Sequence, residues 1–152
     1  MRAFVGALVI AGAMVAPSSA QPVGTPISCG KLVAVDGDTI KCNGVLMRDM
    51  GDGAPFVSGF DTPEIRSRKC EAELALGRRA KSRMAELLKT KGLRIIDSDQ
   101  VDATRTRRPL VWIVLPDGRT IGSILISEGL ARRWTPQYEA DWCRGTDDRA
   151  EM

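Results

Sequence analysis

The chain contains no histidine, and that absence removes whole mechanisms at once. Ser-His-Asp and Cys-His nucleophiles, histidine general bases and histidine-dependent nuclease chemistry all need an imidazole. There is no Cys-x-x-Cys pair either, so a zinc site lacks its usual ligand patterns. Charge of either sign is not in large excess: the net is +3 over 152 residues, and +2 without Arg2. The placement of the charges therefore matters more than their sum. Repeats and low-complexity segments are absent. Any hydrolytic chemistry in this chain falls to carboxylates, arginines and a metal.

Long hydrophobic runs are also scarce, with one exception at the start. Met1-Arg2, an apolar stretch over residues 3–15 and then Pro17-Ser18-Ser19-Ala20 have the charged, apolar and small-residue order of a secretory signal peptide. The apolar stretch is too short for a stable membrane anchor. Cleavage after Ala20 leaves 132 of the 152 residues, enough for one domain at 21–152 with a real core, exported to a periplasm or secreted, and with no membrane contact in mature form. All four cysteines, Cys29, Cys42, Cys70 and Cys143, lie in that mature part, and an oxidising compartment favours two disulfides over free thiols.

Acids stand in two short motifs. Val35-Asp36-Gly37-Asp38-Thr39-Ile40 is followed about twenty residues later by Gly59-Phe60-Asp61-Thr62-Pro63-Glu64. Singly, the first reads as a hairpin turn and the second as a helix start with Pro at its first position. Together they place acidic oxygens at turns and strand ends, where separate segments can converge on one hard cation. Basic residues cluster at Arg66, Arg68 and Lys69, at Arg78 to Arg83, at Arg105, Arg107 and Arg108, and at Arg132 and Arg133. The run from Arg78 fits a solvated helix face, whereas Arg105 to Arg108 fall in a Thr-rich loop, where binding groups are commonly displayed.

Periodicity predicts strands at 27–35 and 39–42, with turns at Asp36-Gly37 and Asn43-Gly44. A third strand is broken by the Gly- and Asp-rich segment 49–55 and resumes at 56–60. An amphipathic helix follows over 71–91, with Leu74, Ala80, Met84, Leu87 and Leu88 on one stripe and Gly92 as its stop. Gly77 inside it marks a close approach to a strand. Strands at 93–96 and 110–115, a short helix around Ile121, Ile124 and Leu125 closed by Gly129, and a polar irregular tail complete the chain. The expected class is α+β, mainly β: a five-stranded Greek-key barrel of the OB type with about three helices.

These motifs in this order resemble the thermonuclease, or staphylococcal nuclease-like, family. The resemblance rests on Val-x-Asp-Gly-Asp-Thr-Ile, Gly-Phe-Asp-Thr-Pro-Glu, Cys-x-x-Glu-x-x-x-Gly-x-x-Ala from Cys70 to Ala80, an Arg before a strand and Asp-Gly, and Glu-Gly-Leu-Ala from Glu128. It covers residues 29–134. It implies a calcium-dependent phosphodiesterase acting on DNA or RNA, here expected as a monomer. Asp38, Asp61 and the main-chain oxygen of Thr62 match metal ligands, and Asp36 an acid just outside them. Glu64 matches the carboxylate that orients or deprotonates the attacking water, and Arg108 an arginine on the scissile phosphate.

Two departures stand beside the resemblance. The family's second phosphate arginine sits a few residues before the Asp-Thr-Pro-Glu block, where this chain has Phe56. Arg48 supplies the charge if residues 49–58 are a loop inserted after it. Before Arg108, related chains carry Asp-x-Tyr-Gly, whereas this one reads Thr104-Arg105-Thr106-Arg107, so Arg105 and Arg107 become candidates for nucleic-acid contact. Trp134 and Tyr138 offer either core packing or stacking surfaces. An enzyme, possible loss of part of its activity, and an impaired OB module that only binds single strands all stay open at this point. For the disulfides, Cys29 and Cys42 flank the first hairpin and are expected to pair, leaving Cys70 to pin Cys143 in the tail.

Overall fold

Asn43 and Gly44 both adopt left-handed backbone, at φ +48° and +91°, which is the conformation a two-residue hairpin turn between twisted strands requires. They join β3 (Thr39–Cys42) to β4 (Val45–Asp49), and β3 also pairs antiparallel with β2 (Leu32–Ala34). Along β4 the pleat buries Met47 and Asp49 and turns Arg48 to the opposite side. The computed structural model describes residues 22–144, so the leader expected at 1–20 lies outside the described residues.

Further on, β6 (Arg94–Val101) and β7 (Pro109–Val114) form an antiparallel pair. β7 meets β4 in parallel at Arg48↔Leu110, and β1 (Thr25–Ile27) adds to the outer edge of β6. The result is one curled six-stranded sheet, β1-β6-β7-β4-β3-β2. A separate ribbon pairs β5 (Gly59–Asp61) with β8 (Arg132–Trp134). Ile40, Met47, Phe60, Val111 and Ile113 from the strands meet Ala80, Met84, Ile121 and Leu125 from the helices in one apolar core.

The helices are α1 (Glu71–Leu87) and α2 (Ile121–Ser127). Thr120 caps α2 by accepting from the Ser123 N–H at 3.1 Å, and Gly129 closes it at φ +71°. At the outer end of α1, Arg83 grips Glu128, with Nη2 to Oε1 at 2.7 Å, so this member of the basic run ties the two helices together. Both expected disulfides are present, Cys29–Cys42 with Cα atoms 5.2 Å apart and Cys70–Cys143 at 6.0 Å.

Mainly β architecture and the OB-type curl agree with the sequence reading, but several details differ. The described residues hold two helices rather than about three. The strand expected at 27–35 splits into β1 and β2, which lie at opposite edges of the sheet, the chain bending at Gly30 and Lys31 between them. The third strand does not resume in the same sheet, since β5 starts at Gly59 and pairs with β8. That pairing also turns part of the expected irregular tail into a strand. α1 stops at Leu87, because Lys89 and Thr90 bond back to Glu86 and Leu87 in tighter turns before Gly92. The close approach at Gly77 is to a loop, not a strand: an added Cβ would stand 2.6 Å from the Pro63 carbonyl oxygen.

Candidate active site

Thr39 and Arg48 are direct partners across β3 and β4, and Asp38 enters β3 just before Thr39. This register brings the Arg48 guanidinium to Asp38, with Nη1 3.0 Å from Oδ2. Its other nitrogen, Nη2, donates to the Phe60 carbonyl at 2.8 Å and stands 3.7 Å from Asp61 Oδ1. Residues 50–58 loop out between β4 and β5, so β5 returns Asp61 to the arginine that the chain left behind. Phe56, at the position five before Asp61, is 54 % exposed on that loop.

Arg108 stands at the entry to β7 and is fixed by an acid that sequence reasoning missed. Its Nε donates to Asp102 Oδ2 at 2.7 Å, and its backbone N–H to Oδ1 at 3.0 Å. Burial raises the Asp102 pKa, but hydrogen bonds from Thr104 and Arg108 outweigh it and hold the carboxyl below its ordinary value. Arg108 Nη1 also donates to Thr39 Oγ1 at 3.0 Å, and that hydroxyl donates to Asp38 Oδ1 at 2.9 Å. One continuous polar chain thus runs Arg108, Thr39, Asp38, Arg48, Asp61. Its spacing was hidden in the sequence because Thr39 reads as an ordinary strand residue and Asp102 as a loop residue.

Glu64 sits on the turn between β5 and α1, exposed, its Oε2 accepting from Ser67 Oγ at 3.0 Å. The backbone of that turn is held by Glu73, only 3 % exposed, which accepts the N–H of Glu64 on one oxygen and that of Lys69 on the other. Arg48, Asp61, Glu64 and Arg108 all line one cavity of about 660 Å³. Asp38 and Thr62 are buried just behind its wall, at 5 % and 2 % exposed. Asp36 is half-buried, its pKa raised by burial and by Asp38. Arg105 and Arg107 stay exposed on the loop before Arg108 and are not drawn into the cavity lining. Tyr138 is exposed, whereas Trp134 borders the cavity.

Trp142 is another wall residue that the sequence did not flag. It is held in place by its neighbour Cys143 and by Arg132, whose guanidinium carbon lies 4.6 Å from the ring centroid. The indole N–H helps to hold the Asp61 carboxyl down electrostatically, yet it makes no hydrogen bond of good geometry. Asp61 itself is pushed up to about 6, chiefly by burial and then by the charge of Asp38, with Arg48 opposing. For Arg48, burial would lower the pKa, but Asp38, Asp61 and Asp49 overcome it and raise it.

Among the described residues, no three His, Cys, Asp or Glu side chains gather closely enough to hold a metal ion alone. What is present is a pair of acids converging on one cation, Arg48, with a main-chain segment at Thr62 beside them. This is a hard-oxygen set suited to an ion that also takes water and phosphate oxygens. The electrostatics fit as well, because a dication would favour the charged form of Asp61, which burial and then the charge of Asp38 disfavour.

Fold and cluster together define a class: an OB-type barrel with two acid-anchored arginines, fitted to a phosphate-bearing ligand. The family model described as staphylococcal nuclease homologue matches residues 56–150, more than half of the chain. The chain belongs to that family, and a nuclease-family function on nucleic acid follows from membership. Asp61, Thr62, Glu64 and Arg108 fall inside the matched span, while Asp36, Asp38 and Arg48 precede it. Comparison with curated proteins returns no match.

Proposed function

We propose that the protein is an exported, calcium-dependent nuclease that hydrolyses phosphodiester bonds of DNA or RNA by in-line attack of water. The observation that carries this reading is Arg48, whose guanidinium bridges Asp38 and Asp61 across the loop at residues 50–58 and so stands where the strand arginine of a nuclease is needed. Asp38, Asp61 and the Thr62 carbonyl are the groups that would hold calcium. When bound, calcium supplies Lewis-acid stabilisation of the phosphate and a nearby polarised water.

The protein's own groups do the rest. Arg48 and Arg108 bind phosphate oxygens and stabilise the charge that builds during attack, each fixed beforehand by an acid so that little reorganisation accompanies the reaction. Glu64 orients the attacking water and takes its proton. Arg105 and Arg107 attract the backbone of the strand beyond the cleaved bond. Export is supported by the leader sequence and by two disulfides that an oxidising compartment favours. The rival, an impaired module that binds single strands without turnover, has the altered residues before Arg108 in its favour.

Arg48→Ala separates the two. For the enzyme it should cut kcat at least about a hundredfold while nucleic-acid affinity changes little. Unchanged turnover in that variant would remove Arg48 from the reaction.

A further inference from the structure

The segment joining β4 to β5 is anchored at several points. Trp112 Nε1 donates to the Gly53 carbonyl at 2.8 Å, and Thr120 Oγ1 donates to Asp52 Oδ1 at 2.7 Å. The Gly53 N–H bonds the Met50 carbonyl at 2.9 Å, and the N–H groups of Val57 and Ser58 both reach the Ala54 carbonyl. On this braced loop stands Phe56, with φ at +64°. A bulky residue in the left-handed region is an outlier that its surroundings must enforce. The ring gains little burial in exchange, being 54 % exposed, so packing does not account for it.

Phe56 lines the same cavity as Arg48, Asp61 and Arg108, and so does Trp134. Trp134 is the strand partner of Gly59, where even a Cβ would come only within 3.9 Å of the indole, so no side chain covers the ring from that position. At about 660 Å³ the cavity has room for a nucleoside beside a bound phosphate.

We propose that Phe56, together with Trp134, forms a base-stacking subsite for a nucleotide adjacent to the scissile phosphate, selecting unpaired strands. The inference rests on the nuclease reading above. Arginines at one part of the cavity take the phosphate, and an aromatic face at another takes the base of the same strand. A base inside a duplex has both faces covered by its neighbours, whereas an unpaired base offers a face of any identity. The subsite therefore discriminates strand state and not base sequence.

The test uses matched single-stranded DNA oligonucleotides, one intact and one abasic at the nucleotide beside the cleaved bond. Wild type is expected to show a KM about tenfold lower for the intact strand. Phe56→Ala should bring that ratio close to one, and Phe56→Trp should preserve it. Phe56→Gly relieves the left-handed strain, so it should raise Tm while losing the ratio, the reverse of what a residue kept for packing would show. A ratio unaltered in Phe56→Ala overturns the subsite. Fluorescence of 2-aminopurine placed at that nucleotide reads stacking without turnover. If wild type cleaves neither strand, the nuclease reading fails by itself, and quenching that Phe56→Ala leaves intact would still overturn the subsite.

Discussion

Asp49 illustrates how one side chain can carry a cost for its neighbour's sake. It is fully buried next to Arg48, with Oδ1 accepting the Gly51 N–H at 3.0 Å and Oδ2 left without a hydrogen bond of good geometry, although the Ile113 N–H faces the carboxyl. Burial pushes its pKa up to about 7, against the pull of those amides and of Arg48. A carboxyl whose folded pKa is raised binds its proton more tightly when folded, so stability is greatest below the unfolded value near 3.8 and is lost as pH climbs toward about 7. The loss amounts to roughly 4 kcal/mol at most, from about three pKa units at 1.36 kcal/mol each. Asp49→Asn, which has no proton to lose, should flatten the stability profile between about pH 4 and pH 7 in denaturant titrations. Profiles that stay parallel would show that Asp49 does not titrate in this window.

The turn from β5 into α1 is the element that sets the geometry of Glu64. Cys70 caps α1 with its sulfur, 3.5 Å from the Glu73 N–H, and Glu73 reaches back to the backbone of Glu64 and Lys69. In Glu73→Gln one acceptor oxygen becomes a donor facing an N–H. The variant is expected to lose about 1–3 kcal/mol of stability. On the proposed reading its kcat should also fall, with KM changing less, because Glu64 is displaced while Arg48 and Arg108 are not. Equal losses in kcat and folded fraction would reduce Glu73 to a structural role. The bridge from Cys70 to Cys143 spans 73 residues and is worth about 4 kcal/mol in the chain-entropy model. Replacing both cysteines with alanine should lower the denaturation midpoint accordingly and release Trp142 from the cavity wall, read as a change in its fluorescence.

These elements also mark where the sequence was legible. The Cys29–Cys42 bridge and the hairpin at Asn43-Gly44 followed from local spacing, since turn residues and short loops act over a few positions; Cys70–Cys143 followed only as the remaining pair, and the loop after Arg48 was one of two open readings. Glu73, Asp102 and Trp142 did not, because each gains its role from a partner brought in by tertiary packing. The same holds for β8, a three-residue strand that exists only through its pairing with β5.

At the scale of the molecule, a nearly neutral protein concentrates its useful charge in one place. The polar chain from Arg108 to Asp61 joins β3, β4, β5 and the loop before β7, so the site depends on the whole curl of the sheet and not on one motif. With no histidine, the groups gathered in this site for acid–base and phosphate chemistry are carboxylates and arginines. The most direct measurement is hydrolysis of single-stranded DNA by purified mature protein with calcium, with excess chelator, and in the variants Asp38→Asn and Asp61→Asn. Cleavage that requires calcium and is abolished in both folded variants is the predicted result; undiminished cleavage in chelator, or full activity in either variant, would contradict it.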